Sequence, residues 1–299
     1  MTTGVLVLSH GTPATREGVE PFYTAIRRGQ PPTPELLADL QRRYDAIGGT
    51  SPLAERTRGQ VEGIARALEG RAPGRHVVEG ATKYSTPRIE AAVESLVARG
   101  VDVVVGLVLS PLRAPMSTDQ YHDRATAAIA GRVPYRPIWS WWRAPGFAEL
   151  LGARVRDEVA ACASVTPLVA FSAHSLPLRA LGSGTDYPGE LAGAADATAR
   201  AAGVGEHVVC WQSAGRTGDA WLGPDVLELL GGLDAEIHPD VVVCPVGFVA
   251  DHLEVLFDLD IEAEAVAHER GLTLRRTASL NDDPTFCGIL ADVVEAASA

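Results

Sequence analysis

The sequence predicts an α/β protein in two domains, each built on a parallel sheet. Short apolar runs alternate with helical stretches along the whole chain, which is the pattern of βαβ units. At 299 residues the chain is longer than one hydrophobic core usually serves. A weak internal duplication divides it. LVLSHGTP near the start and LVAFSAHSLP in the middle are both apolar runs leading into a histidine and a turn, and VVGLVLSPL and VVVCPVGFV form a second such pair.

Taken in order, the first strand is expected over Val5 to Ser9, with His10 at its end. Strands follow at Val77 to Gly80 and Val103 to Leu109, separated by a helix over Pro87 to Ala98. The periodicity breaks in PYRPIWSWWRAPGF, where three prolines and Gly146 mark the join and Trp139, Trp141 and Trp142 pack as a hinge core. The domains are therefore drawn as 1–145 and 146–284. In the second, strands are expected at Leu168 to Ser172, His207 to Trp211 and Val241 to Val246. A helix over Pro224 to Leu230 opens with proline at its first position after Gly223. Ligands of open α/β sheets lie beyond the carboxyl ends of the strands, so His10 and His174 are expected to face one shared cleft.

Composition narrows the function. With 46% apolar and 21% charged residues the chain is of ordinary soluble type, and no run approaches the roughly 20 apolar residues of a membrane span. The start, MTTGVLVLSHG, has no basic lead, so no signal peptide is expected and the cytoplasm is the expected location. A formal charge of −12 argues against nucleic-acid binding. Cys162, Cys210, Cys244 and Cys287 form no CxxC pair and read as reduced, buried thiols.

The chemistry concentrates in two places. His174 ends an apolar strand, and Glu254, Asp258 and Glu262 follow at a spacing that lines one face of a helix. From Asp251 to Glu264 there are six acids and no Lys or Arg. Leu253, Val255, Phe257 and Ile261 spread apolar character around the same helix, so part of the acid row is expected to be buried and to need cations or protons. A simply solvated acid face is the alternative. For an anionic ligand, Arg27 and Arg28 in AIRRG offer planar forks for carboxylates. Lys83 and Arg113 are further basic candidates. Gly48, Gly49, Thr50 and Ser51 read as a loop opening a helix, suited to a carboxylate or to plain capping.

Together these segments resemble the ferrochelatases, most closely the bacterial coproporphyrin ferrochelatases. The resemblance runs nearly end to end through GTPATREGVEPFYTAIRRG, RRYDAIGGTSPLAERT, FSAHSLP, GTDYPGEL, WQSAGRTGDAWLGPDV, PVGFVADHLEVLFD and LNDDPTF. It implies two Rossmann-like, chelatase-type domains around a porphyrin cleft, with a C-terminal helix, 285–299, packing back onto the first domain. It implies insertion of Fe(II) into coproporphyrin III, giving coprohaem and two protons. His174 would be proton acceptor and metal ligand, with Glu254 as its acidic partner. Asp258 and Glu262 would continue as a path for cations or protons. Arg27, Ser51 and Tyr121 would lie along the propionate-binding rim, with Arg28 beside them and Ile26 against the macrocycle.

Two departures stand out. His10 occupies the position where the coproporphyrin branch usually has tyrosine, so His10 is expected among the substrate contacts and as a ligand of product iron. LVLSPLRAPMSTDQY is less aromatic than in relatives. No tightly bound cofactor and no iron–sulfur cluster are expected, since Fe(II) is a substrate. The expected partners are porphyrin, Fe(II) and a downstream coprohaem-processing enzyme, with no nucleic acid or membrane, for a monomer. Protoporphyrin IX ferrochelatase, a sirohydrochlorin-type chelatase, to which SHGTP is similar, and a non-catalytic haem carrier are the alternatives.

Overall fold

In the computed structural model, which describes residues 1–181, 184–215 and 218–298, the strands sort into two four-stranded parallel sheets. The first contains β1 (Thr3–Ser9), β2 (His76–Thr82), β3 (Val103–Val108) and β4 (Tyr135–Ile138), in the order β2-β1-β3-β4. The second contains β5 (Leu168–His174), β6 (His207–Gln212), β7 (Asp240–Cys244) and β8 (Thr273–Arg276), in the order β6-β5-β7-β8. The repeated order matches the internal duplication: β1 and β5 hold equivalent central places, and each delivers a histidine at its end.

Apolar runs became central strands because helices cover both sheet faces. The edge strands β4 and β8, of four residues each, escape that reading. Pro137 in β4 cannot donate to a ladder and is tolerated where one side of the strand has no neighbour. In β8, Arg275 and Arg276 give a charged edge that discourages further pairing. The expected seventh strand residue of β3, Leu109, lies beyond its end. The run Val241 to Val246 stops at Cys244, because Pro245 has no N–H with which to continue.

The helices are α1 (Val19–Ile26), α2 (Pro34–Ala46), α3 (Leu53–Arg71), α4 (Ile89–Ala98), α5 (Gln120–Ile129), α6 (Phe147–Ala160), α7 (Tyr187–Ala202), α8 (Val226–Gly232), α9 (Leu253–Phe257), α10 (Glu264–Glu269) and α11 (Pro284–Ser298). Pro224 is not the first helical residue. Asp225 caps α8 instead: its carboxylate accepts Leu227 N–H at 2.9 Å, and Glu228 reaches back to Asp225 N–H at 3.0 Å. The end of α11 at Ala299 and Arg216 and Thr217 of the WQSAGRTGDAWLGPDV segment lie outside the described residues.

The expected acid-bearing helix is interrupted. Between α9 and α10 the chain forms a π-helical turn over Asp258–Ala263, so the acid row does not follow one regular α-helix. Such widened turns recur where function needs a side chain re-aimed. Val255, Phe257, Leu259 and Ala263 are buried, while Ile261 is 38% exposed. The apolar character around this segment thus has a real but smaller footprint than expected.

One apolar core runs through both sheets. Val5, Val7 and Leu107 of the first sheet belong to the same cluster as Val169, Phe171 and Val242 of the second, with Trp141 and Trp142 between them. Trp141 donates its indole N–H to the Val108 carbonyl at 2.9 Å, and Trp142 donates to Glu190 of α7 at 3.0 Å. Trp139 is only half-buried and stacks against the Arg113 guanidinium at 4.4 Å. From the far end of the chain, α11 returns to α3, where Arg71 pairs with Asp292 at 2.8 Å and Glu295 at 3.0 Å.

Candidate functional site

The carboxyl ends of β1, β3 and β5 open on one cleft of about 310 Å³. This is where an open parallel sheet leaves a crevice between diverging connections. His10, Tyr84 and Tyr121 line it from the first half, and His174, His252 and Glu254 from the second. The loop after β7 passes close behind His174. A Cβ at Gly247 would stand 2.5 Å from the Ala173 Cβ, so only glycine allows that approach.

His174 and Glu254 are in contact. The imidazole Nε2 lies 3.5 Å from Glu254 Oε1, and on the other carboxylate oxygen His252 Nε2 also lies at 3.5 Å. His174 Nδ1 donates to the Ser175 carbonyl at 2.5 Å, which fixes the ring so that Nε2 faces the acid. Tyr187 donates its hydroxyl to the His174 carbonyl at 2.9 Å. Gln212, the register partner of His174 on β6, donates to the Glu254 carbonyl at 3.1 Å and accepts from Ser172 at 2.9 Å. Strand pairing itself thereby ties the acid to the histidine.

This contact changes the protonation expected from the sequence. Burial alone would lower the His174 pKa, but the Glu254 carboxylate beside it prevails and raises it to about 9. The resting site therefore holds an imidazolium at neutral pH, where an ordinary histidine would be largely neutral. Burial would raise the Glu254 pKa, yet His174 and His252 hold it well below the usual carboxylate range.

On the facing wall His10 is exposed to the cleft, yet the protein packed around it pulls its pKa down to about 4, with Glu254 opposing and the Lys83 ammonium adding to the effect. His10 opens onto the cleft but is walled by aromatic rings, Tyr84 at 4.9 Å and Phe22 at 5.8 Å between centroids. Its Nδ1 donates to the Gly11 carbonyl at 3.2 Å, which leaves the Nε2 lone pair uncommitted. The cleft thus sets a neutral imidazole against a charged one.

The acid row recedes from the cleft. Asp258 is 5% exposed, accepts a hydrogen bond from Ser213 and lies 3.6 Å from the Arg43 guanidinium. Burial, together with the neighbouring charges of Glu254 and Glu262, pushes its pKa up to about 7. Glu262 is half-buried farther along the π-helical turn. Among the described residues no group of three or more His, Cys, Asp or Glu side chains is gathered as a ready-made metal shell. His174, Glu254, Asp258 and Glu262 are thus not gathered into one such shell.

The expected rim residues are divided. Tyr121 is 4% exposed and belongs to the inner wall, where the buried Lys83 ammonium lies 5.1 Å from its ring centroid. Burial, reinforced by Arg124 and Arg28, lowers the Lys83 pKa to about 8. Ser51 is buried just before Pro52, the N-cap of α3, and its hydroxyl accepts the Leu53 N–H at 3.3 Å. Ile26, Arg27 and Arg28 end α1 outside the enclosed part of the cleft. Arg27 stacks on Tyr23 at 5.7 Å, and Arg28 is exposed with φ at +58°.

Sequence reasoning passed over Arg43, His252, Tyr187 and Gln212. His252 lay in plain view two residues before Glu254, but its contact with the carboxylate depends on the loop's path. Arg43 is one of two arginines in QRRYDAI, and nothing local shows which one meets an acid some 200 residues later.

A family-wide sequence profile described as Ferrochelatase matches residues 2–298. A protein named "Ferrochelatase" from Herpetosiphon aurantiacus is 39% identical over 98% of this chain and 98% of its own length. One named "Coproporphyrin III ferrochelatase" from Anoxybacillus flavithermus is 40% identical over 97% of this chain and 95% of its own. Among solved structures, SirB from Bacillus subtilis with Fe3+ superposes with a TM-score of 0.60 at 12% identity, covering 100% of this chain and 96% of that one. CbiX, from siroheme biosynthesis in denitrifying bacteria, superposes with a TM-score of 0.56 at 15% identity, covering 98% of both. These two likenesses speak for the fold alone.

Proposed function

The chain belongs to the ferrochelatase family, and on that premise we propose that it inserts Fe(II) into coproporphyrin III to form coprohaem, with release of two protons. The observation that carries the reading is the His174–Glu254 contact inside a cleft whose other wall presents His10. Relatives named for coproporphyrin III at about 40% identity support the choice of substrate.

Metallation replaces two pyrrole N–H bonds with bonds to iron, so both protons need acceptors near the ring centre. In this proposal the resting imidazolium of His174 is a switch. A cation arriving at Glu254 competes for the carboxylate that keeps His174 charged, and the proton of His174 leaves along Asp258 and Glu262. Neutral His174 then accepts the two pyrrole protons one after the other, passing the first along the same acids before it takes the second. Asp258, with a pKa near 7, is suited to take up and pass on protons at neutral pH. Imidazole and carboxylate groups are suitable exchange ligands for a first-row divalent ion shedding its water. His10, neutral and with Nε2 uncommitted, is proposed as the ligand of product iron on the opposite face. Arg27, Arg28 and Ser51 are proposed for the carboxylate rim, with Ile26 and Tyr121 against the macrocycle.

No described helix is long and apolar enough to cross a membrane, and a cytoplasmic monomer without a resident cofactor is the proposed state. A downstream coprohaem-processing enzyme is the proposed recipient. The test is anaerobic Fe(II) insertion with coproporphyrin III and protoporphyrin IX compared side by side. Faster turnover on coproporphyrin beyond one equivalent per chain is expected. A strong preference for protoporphyrin, or a halt after one equivalent as in a carrier, would overturn the reading.

A further inference from the structure

Glu254 is presented by the segment from Gly247 to Glu254, and each end of that segment is tied within the second half of the molecule. Gly247 N–H donates to the Ser172 carbonyl at 3.0 Å, and the Glu254 carbonyl accepts from Gln212 at 3.1 Å. Its middle is held differently. Gln60, on α3 of the first half, is 0% exposed and donates from Nε2 to the carbonyls of Val249 at 3.2 Å and Asn281 at 2.9 Å.

Two carbonyl partners fix which end of the Gln60 amide is which, because a carbonyl only accepts. Asn281 completes the fastening. It adopts φ +48°, donates its backbone N–H to the same Val249 carbonyl at 2.8 Å, and meets Asp251 through both side-chain atoms at 2.8 and 2.9 Å. His252 and Glu254 follow directly. Gln60 also lines the cleft, and its Oε1 is buried with no hydrogen-bond partner, so this side chain is held by its donors alone.

We infer that Gln60 is a positioning residue that sets, from the opposite half of the molecule, where Glu254 stands against His174. A neutral amide suits the task because it supplies two donors to two buried carbonyls. A carboxylate there would face them with like partial charge, and an apolar chain would leave the Asn281 carbonyl without this donor. The cleft is bounded by both halves, and Gln60 makes the acid's placement depend on how they meet. The inference rests on the function proposed above for its kinetic readout, and on spectroscopy independent of it for the rest.

The experiment compares full-length native protein with Gln60→Glu and with Gln60→Met, which keeps the length and lacks the donors. Either variant suffices should the other fail to fold. Expected are a fall in kcat for Fe(II) insertion of about tenfold or more, coproporphyrin Kd within about threefold of native, and displaced His174 imidazole resonances in the ligand-free protein. A kcat within about twofold of native overturns the inference, as does a lower Tm with unmoved His174 resonances. Should native protein insert no iron at all, the proposed function falls, and the His174 resonances alone decide the role of Gln60.

Discussion

Replacing Asp258 with asparagine should make the protein more stable at alkaline pH. Asp258 is buried beside two other acids, and its pKa stands near 7 where an ordinary aspartate has 3.8. Below pH 3.8 the group is neutral in folded and unfolded chains alike and costs nothing. As pH rises from there to 7, the unfolded chain ionises while the folded one resists, and the cost of folding grows. Above pH 7 the full cost applies, about 4 kcal/mol at roughly 1.36 kcal/mol per pH unit. Asparagine keeps an oxygen to accept from Ser213, and the Arg43 attraction that it gives up is already contained in the net rise of the Asp258 pKa. Arg43 retains Asp39 at 3.2 Å. The gain at pH 8 is therefore about 4 kcal/mol, on the order of 6 °C in Tm. Urea denaturation at a series of pH values measures it. The advantage of Asp258→Asn should grow between about pH 4 and 7 and then level off. A variant less stable than native at pH 8, or a difference independent of pH, would refute the account of Asp258 as a destabilised buried acid.

His174→Ala should nearly abolish Fe(II) insertion while leaving porphyrin binding largely intact, as fluorescence quenching would measure; activity retained within about tenfold would remove His174 from the proton-acceptor role. Glu254→Gln should lower kcat more than affinity, and in an NMR titration should bring the His174 midpoint from about 9 to its ordinary 6.5 or below. In the native protein the stability that His174 contributes is fully present below pH 6.5 and is lost as pH rises through about 9. His10→Ala should alter the visible spectrum of bound iron coproporphyrin, and an unchanged spectrum would take His10 away from the iron. Iron and acid-labile sulfide assays on protein purified without oxygen should find no cluster, and two of each per chain would contradict that.

Much of the fold was legible because central parallel strands are apolar on both faces, and all four of them, with the edge strands β2 and β6, stand out as apolar runs such as VVVC. The other two edge strands, β4 and β8, were not, since a strand with one partner tolerates Pro137 or carries Arg275 and Arg276 without a hydrophobic signature. At the site, His174 and Glu254 could be named from their motifs, yet the charge on His174 could not. That charge arises from a 3.5 Å contact between residues 80 positions apart. The π-helical turn after α9 was equally hidden, because periodicity assumes the regular helix it is used to detect. Gln60 and Arg43 act on partners from the other half of the chain, and no local pattern encodes a partner at that distance.

The apolar cluster shared by both sheets has a mechanical consequence. Jaws that share one close-packed cluster resist yawning apart, because parting them would expose it. Between jaws so joined, the guest rather than the cleft would have to do the adapting.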